Sequence, residues 1–310
     1  MKYYPEGHLI KTKENRNAML SLTALQECIA QQRLLEARAI LCDSSHNLIV
    51  DLLGIKGIIP REEAAIGIRE GTVRDIAIIT RVNRPVCFFV ERIEKDEKGE
   101  PLVFLSRRKA QEQCTKEYIA SLHPGDIIPA HITHLEPFGA FADIGCGIPA
   151  LIPIDSISVS RIDHPSQRYR VDDEVRVVVR SAEQGRITLS QKELLGTWMQ
   201  NASRFQVGET TTGIVRSIEN YGIFVELTPN LAGLAELRDG IHAGNQVSVY
   251  IKNILPRRMK MKLIIIEEFG PAPISRPVPV YMENHMDSFL YSPPECERKV
   301  ETVFSCAPTE

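Results

Sequence analysis

Apolar residues recur at roughly every second position along most of this chain, in short runs closed off by Pro, Gly and Asp. Between Gly125 and Lys192 these runs cover 127–135, 140–144, 148–152, 174–180 and 186–189, which predicts the five strands of a small all-β barrel. Similar runs at 36–42, 47–52, 57–59, 72–82, 87–91 and 102–105 predict a first, degenerate copy, and residues 207–267 predict a third. Gly139 and Gly222 lie 83 positions apart, and the Leu-Ser pairs at 105 and 189 lie 84 apart, so one unit has been duplicated internally.

The period changes to helical between these copies. Leu22, Leu25, Ile29 and Ala30 predict a short helix before the first barrel, with Thr23 as its cap. Ala110, Cys114, Tyr118 and Leu122 recur every four residues, and Leu194, Leu195, Trp198, Met199 and Ala202 share one helical face over 193–205. Trp198 reads as a packing anchor. The resulting organisation is an arm and helix (1–33), a degenerate barrel (34–110), a barrel (124–193), a helical linker (194–206), a barrel (207–267) and a proline-rich tail (268–310). Residues 1–22 read as a flexible arm. The tail opens with alternating prolines from Gly270, which favours an extended linker, and 281–305 either packs as a short strand or stays mobile.

The candidate chemistry lies in two related strands. Phe138 and Phe141 flank Gly139 and Ala140, and Tyr221 and Phe224 flank Gly222 and Ile223. An unbroken strand would turn rings three apart to opposite faces, so the glycine must supply a bulge or bend that turns both outward. Paired outward rings near cations form a platform on which unpaired bases stack. The first copy has His46 and Ile49 where those rings would stand, so it has lost the stacking energy and is expected to touch protein.

A net charge of −3 rules out polyanion binding by bulk charge and leaves only local patches, such as Arg257, Arg258, Lys260 and Lys262. The seven cysteines form no Cys-x-x-Cys pair, which suggests reduced thiols in a cytosolic protein. His131 and His134 share a strand but have no third ligand or carboxylate partner at a recognisable spacing, so they read as surface histidines. No metal, cofactor or catalytic centre is expected. No apolar run reaches membrane-spanning length and the first residues form no signal peptide, which points to the cytoplasm.

The stretch Gly125–Lys192 resembles an S1 domain, the five-stranded OB-fold RNA-binding module of the bacterial ribosomal protein S1 family. The resemblance rests on the opening Gly125-Asp126, the Phe138–Phe141 strand and the closing Gly185-Arg186-Ile187-Thr188-Leu189-Ser190-Gln191-Lys192. Two departures stand out: Pro153 replaces the histidine usual after the third strand, and Ala182 occupies the acidic position four before the closing arginine. The resemblance implies an all-β-dominated chain of three tandem S1-type barrels joined by short helices. It also implies a non-enzymatic protein that holds single-stranded messenger RNA at or near the small ribosomal subunit. Small-subunit proteins would be contacted through residues 34–110. The expected RNA-binding residues are Phe138, Phe141, His131 and Arg186 in the second barrel, and Tyr221, Phe224, Arg216, Arg257, Arg258 and Lys260 in the third. A ribosome-independent regulator with tandem S1 domains and a protein–protein adaptor remain as alternatives.

Overall fold

The computed structural model describes residues 3–183 and 185–304, so Met1 and Lys2 of the arm, Gln184 and residues 305–310 of the tail lie outside the described residues. The chain is strand-dominated and carries three closed five-stranded barrels. The first is built from β1 (Leu35–Cys42), β2 (Leu48–Leu52), β3 (Ile55–Ile59), β4 (Pro85–Lys95) and β5 (Pro101–Ser106). The second is built from β6 (Ile127–Glu136), β7 (Gly139–Asp143), β8 (Pro149–Pro153), β9 (Glu174–Glu183) and β10 (Arg186–Ser190). The third comprises β11 (Thr210–Glu219), β12 (Gly222–Thr228), β13 (Leu231–Ala235), β14 (Asn245–Leu255) and β15 (Lys260–Pro271). All three close in the same order, with the third strand parallel to the fifth. Closure follows from the alternation: Leu48, Val50 and Leu52 point inward on β2, and Val103 and Leu105 do so on β5. Each such buried aliphatic side chain contributes about 1.5–3 kcal/mol.

The chain divides into two compact units, residues 1–122 with 143–149, and residues 123–142 with 150–310. In the first unit α2 (Leu22–Gln31) buries Leu25 and Cys28 against the barrel-one core. Its cap is Ser21, whose hydroxyl accepts from the Ala24 N–H, and not Thr23. The run 72–82 is not a strand. It forms turns around a one-turn helix, α3 (Ile76–Ile79), with only Ile78 fully buried. Its isoleucines have high strand propensity, but all five barrel positions are already filled, so the segment folds as a connection with Ile76 and Ile79 left outside.

The arm is also tied down. Tyr3 and Glu6 are buried, a 3-10 turn covers Leu9–Lys11, and α1 (Lys13–Asn17) is capped by the Thr12 hydroxyl. Glu6 receives a two-pronged ion pair from Arg107, the first residue of α4 (Arg107–Glu117), with Nε to Oε1 at 2.7 Å and Nη2 to Oε2 at 3.0 Å. Glu36 on β1 accepts from the backbone N–H groups of Gly7 and Ile10. Burial pushes the Glu36 carboxyl up to about 7, against the pull of those two donors. Its unfolded value lies near ~4.3, so the folded state holds the proton to higher pH. The stability carried by this group therefore falls as pH rises from about 4 to about 7, by on the order of 3 kcal/mol. A carbon-detected NMR titration of Glu36 is expected to place its midpoint near neutrality; a midpoint in the ordinary carboxylate range would contradict the burial argument.

In the second unit the predicted helix over 193–205 is broken. A 3-10 turn at Lys192–Leu195 stops at Gly196, which has φ +87°, and α5 (Trp198–Ala202) restarts behind a Thr197/Gln200 capping box. Trp198 is 2% exposed and belongs to the barrel-three core. The described part of the tail, up to Phe304, packs against this unit. It has no regular secondary structure from Ala272 to Val280, whose N–H donates to Leu194 O, and Met286 N–H donates to Gly125 O. It ends in a small hairpin of β16 (Ser288–Leu290) and β17 (Glu301–Val303). Met286, Tyr291 and Phe304 are buried there.

Candidate nucleic-acid interface

Gly139 opens β7 where the chain crosses closely over β8: a Cβ at this position would lie 2.4 Å from the Ile152 carbonyl oxygen. Phe138 sits in the preceding turn and accepts at its carbonyl from Ile154 N–H. This placement frees its ring from strand alternation. Phe138 is 55% exposed, while Phe141 lies half-buried on the outer face of β7. Their rings meet edge to face, with centroids 6.0 Å apart and planes at 88°.

Barrel three repeats this arrangement. Gly222 has φ +152°, and a Cβ there would lie 2.6 Å from the Ala235 carbonyl oxygen. Tyr221 in the turn is 65% exposed, and its ring meets Phe224 with centroids 6.0 Å apart at 89°. Edge-to-face packing holds the half-buried ring as a wall and leaves the outer ring free on its open face. Barrel one has no such pair: Ile49 occupies the outer row of β2 and His46 lies in the β1–β2 turn at φ +61°. A partly exposed aromatic of this barrel lies on β5, where the Arg92 guanidinium sits 3.9 Å over the Phe104 ring centroid. No local pattern along the chain signals that stack, because the two residues meet only through strand pairing.

The expected cations divide into two groups. Arg186 starts β10 and is exposed, and Arg257, Arg258 and Lys260 are exposed at the β14–β15 turn, where Met259 adopts φ +48°. His131 is one-fifth exposed on β6, with Nε2 3.5 Å from Asp172 Oδ1. Arg216 is a correction. It was expected on the RNA face, but its side chain is 8% exposed, with Nε 2.7 Å from Glu226 Oε2 and Nη1 3.0 Å from Gln167 Oε1. Its charge is already met inside the protein, so we leave it outside the proposed interface. Glu226 also accepts from Arg168 Nη2 at 2.5 Å, and all three groups are buried between the second and third barrels. No pairing pattern in the sequence announced this triad, whose members come from the 154–173 connection, β11 and β12.

Among the described residues no group of three or more His, Cys, Asp or Glu is arranged to hold a metal ion, and no helix is long and apolar enough to cross a membrane.

Comparison with known proteins bears on the second barrel first: residues 121–192 match the S1 RNA binding domain. Over more of the chain, the small ribosomal subunit protein bS1 of Rhizobium meliloti is 27% identical over 268 residues, which is 82% of this chain and 45% of that protein. The bS1 protein of Leuconostoc lactis is 29% identical over 241 residues, 71% of this chain and 54% of its own length. That of Staphylococcus aureus is 26% identical over 277 residues, 84% of this chain and 68% of its own. The chain thus spans about half the length of the first two curated relatives it matches. A solved multidomain protein with nucleic acid binding domains from Streptococcus pneumoniae covers 76% of this chain at 13% identity, with a TM-score of 0.24, too low to support an inference. The domain match, the ribosomal relatives and the three barrels of one topology agree: this chain carries an S1 RNA-binding domain over residues 121–192, is similar over most of its length to bS1 proteins, and is built on tandem five-stranded barrels.

Proposed function

We propose that this protein binds single-stranded RNA without catalysis, and that it holds messenger RNA at or near the small ribosomal subunit in the cytoplasm. The observation that carries the reading is the twin ring pair, Phe138/Phe141 and Tyr221/Phe224, each an exposed ring set edge-on against a half-buried one at equivalent turns of two barrels. Splayed bases of a single strand stack on such rings while cations meet the phosphates. In this reading Arg186 and His131 flank the first pair, and Arg257, Arg258 and Lys260 flank the second. Two weak sites on one strand raise each other's effective concentration, which suits a chain of near-zero net charge. Barrel one, with His46 and Ile49 in place of the ring pair, serves as the part that docks to small-subunit proteins. The ribosomal relatives support this assignment.

Fluorescence anisotropy with a labelled single-stranded RNA tests the first part. Stacking is worth ~1–3 kcal/mol per base, so Phe138→Ala with Phe141→Ala is expected to weaken binding at least tenfold. Tyr221→Ala with Phe224→Ala should do the same, and the fourfold variant should lose measurable binding. Equal affinity of the wild type and the fourfold variant would overturn the assignment. Co-sedimentation with small subunits, before and after nuclease treatment, tests the second part: a protein that stays in the supernatant in both cases acts away from the ribosome.

A further inference from the structure

Strand pairing lays one outer row of residues across each barrel. In barrel three Phe224 on β12 stands opposite Leu234 on β13, and Leu234 stands opposite Lys262 on β15. In barrel two the corresponding fifth-strand position is Thr188, opposite Leu151. In barrel one it is Phe104, opposite Ile58 and covered by Arg92. The neighbours Met261 and Leu263 point into the core of barrel three, which fixes Lys262 on the outside, and it is exposed. No ion pair of Lys262 is recorded among the described residues, whereas Lys252 nearby faces Glu236 at 3.6 Å.

We propose that this fifth-strand position decides how each RNA-binding barrel holds the strand, and that Lys262 is a phosphate contact of barrel three which barrel two lacks. The proposal rests on the RNA-binding reading above and deepens it. Two strand spacings, about 10 Å, separate Lys262 from Phe224. Leu234 stands between them in the row, so a nucleotide whose base rests on Phe224 passes over an apolar residue before its backbone reaches the ammonium. The Arg257–Arg258 turn lies beyond the start of β15, off this row. Barrel two offers at the same point a hydroxyl, which hydrogen-bonds but releases no counterion. The two barrels therefore bind with different sensitivity to salt.

The test uses the full-length chain with one ring pair removed at a time, so that a single platform reports. With Phe138→Ala and Phe141→Ala in place, Lys262→Thr is expected to lower the slope of log affinity against log salt by about 0.7, the value for one phosphate contact on a single strand. Lys262→Arg is expected to keep the slope. With Tyr221→Ala and Phe224→Ala in place, Thr188→Lys is expected to raise the slope of barrel two by about 0.7. Lys98→Thr, the same loss of charge in the exposed β4–β5 turn of the other unit, is the control and should leave the slope unchanged. Trp198 emission verifies the fold of every variant in the second unit. An unchanged slope in Lys262→Thr, an equal drop in Lys98→Thr, or no gain in Thr188→Lys overturns this proposal while the ring assignment stands. Absence of RNA binding by the wild-type chain overturns both.

Discussion

Replacing Arg107 by alanine is expected to cost the first unit about 3–5 kcal/mol, the typical loss when one member of a buried ion pair is removed. Arg107 and Glu6 are 3% and 5% exposed, and the guanidinium meets both carboxylate oxygens while its Nη1 donates to Ala64 O. Without it, Glu6 keeps Arg81 at 3.5 Å and the Cys87 N–H at 3.1 Å. Burial pushes the Glu6 carboxyl up, but the charge and hydrogen bonds of Arg107 outweigh it and hold the group below its ordinary value. A depressed folded value gives a contribution that is present above the unfolded value of ~4.3 and lost as pH falls through the folded one. In Arg107→Ala the balance reverses, and protonation of Glu6 relieves the buried charge. The deficit against wild type should therefore shrink between pH 7 and pH 5. The sole tryptophan lies in the other unit, so amide hydrogen exchange of β1–β5 is the readout. Exchange no faster than wild type at pH 7 would show that Arg81 alone satisfies Glu6.

Glu226→Gln is expected to destabilise the second unit by a similar amount, because two guanidiniums would then share a buried site without a counter-charge. Arg168 is fully buried, and burial drives it below its ordinary value while Glu226 holds it charged. Two polar atoms of the triad, Arg168 Nη1 and Glu226 Oε1, have no hydrogen-bond partner among the described residues. Excess charge in this site has little left to compensate it. Trp198, buried in the barrel-three core, reports urea unfolding of this unit, and a midpoint shift of less than ~1 kcal/mol would refute the argument. A double variant, Arg168→Met with Glu226→Leu, should be milder than the sum of its parts, since apolar packing replaces the pair together. The same cluster joins the second and third barrels, so the single variant is also expected to lower their combined affinity for RNA.

Much of the geometry of the candidate site is legible locally. Phe138 and Phe141 could be assigned to one surface because a glycine between them left few ways to continue the strand, and Gly139 does cross closely over β8. Period-two runs marked the strands of all three barrels, and the 83-residue repeat related Tyr221 and Phe224 to the first pair. The run 72–82 misled because Ile76, Ile78 and Ile79 favour extended backbone wherever they stand, while the number of strands is a property of the closed barrel. Arg216 misled for a related reason. Its place on β11 was readable, but its partner Glu226 is met on the neighbouring strand β12, where strand pairing and burial bring the two together. The arm reads as flexible from sequence because Glu6 finds Arg107 only 101 positions later.

Sequence alone determined the repeated barrels and the outward ring pairs, because alternation, glycine geometry and turn residues act between neighbours along the chain. Only the tertiary structure decided which charges are spent inside the protein and which remain outside. Arg168, Arg216 and Arg107 look no different in sequence from Arg186 or Lys262. Barrel closure and packing set the distances between side chains remote in the chain, and at those distances a buried carboxylate claims some of these cations and leaves the others to solvent.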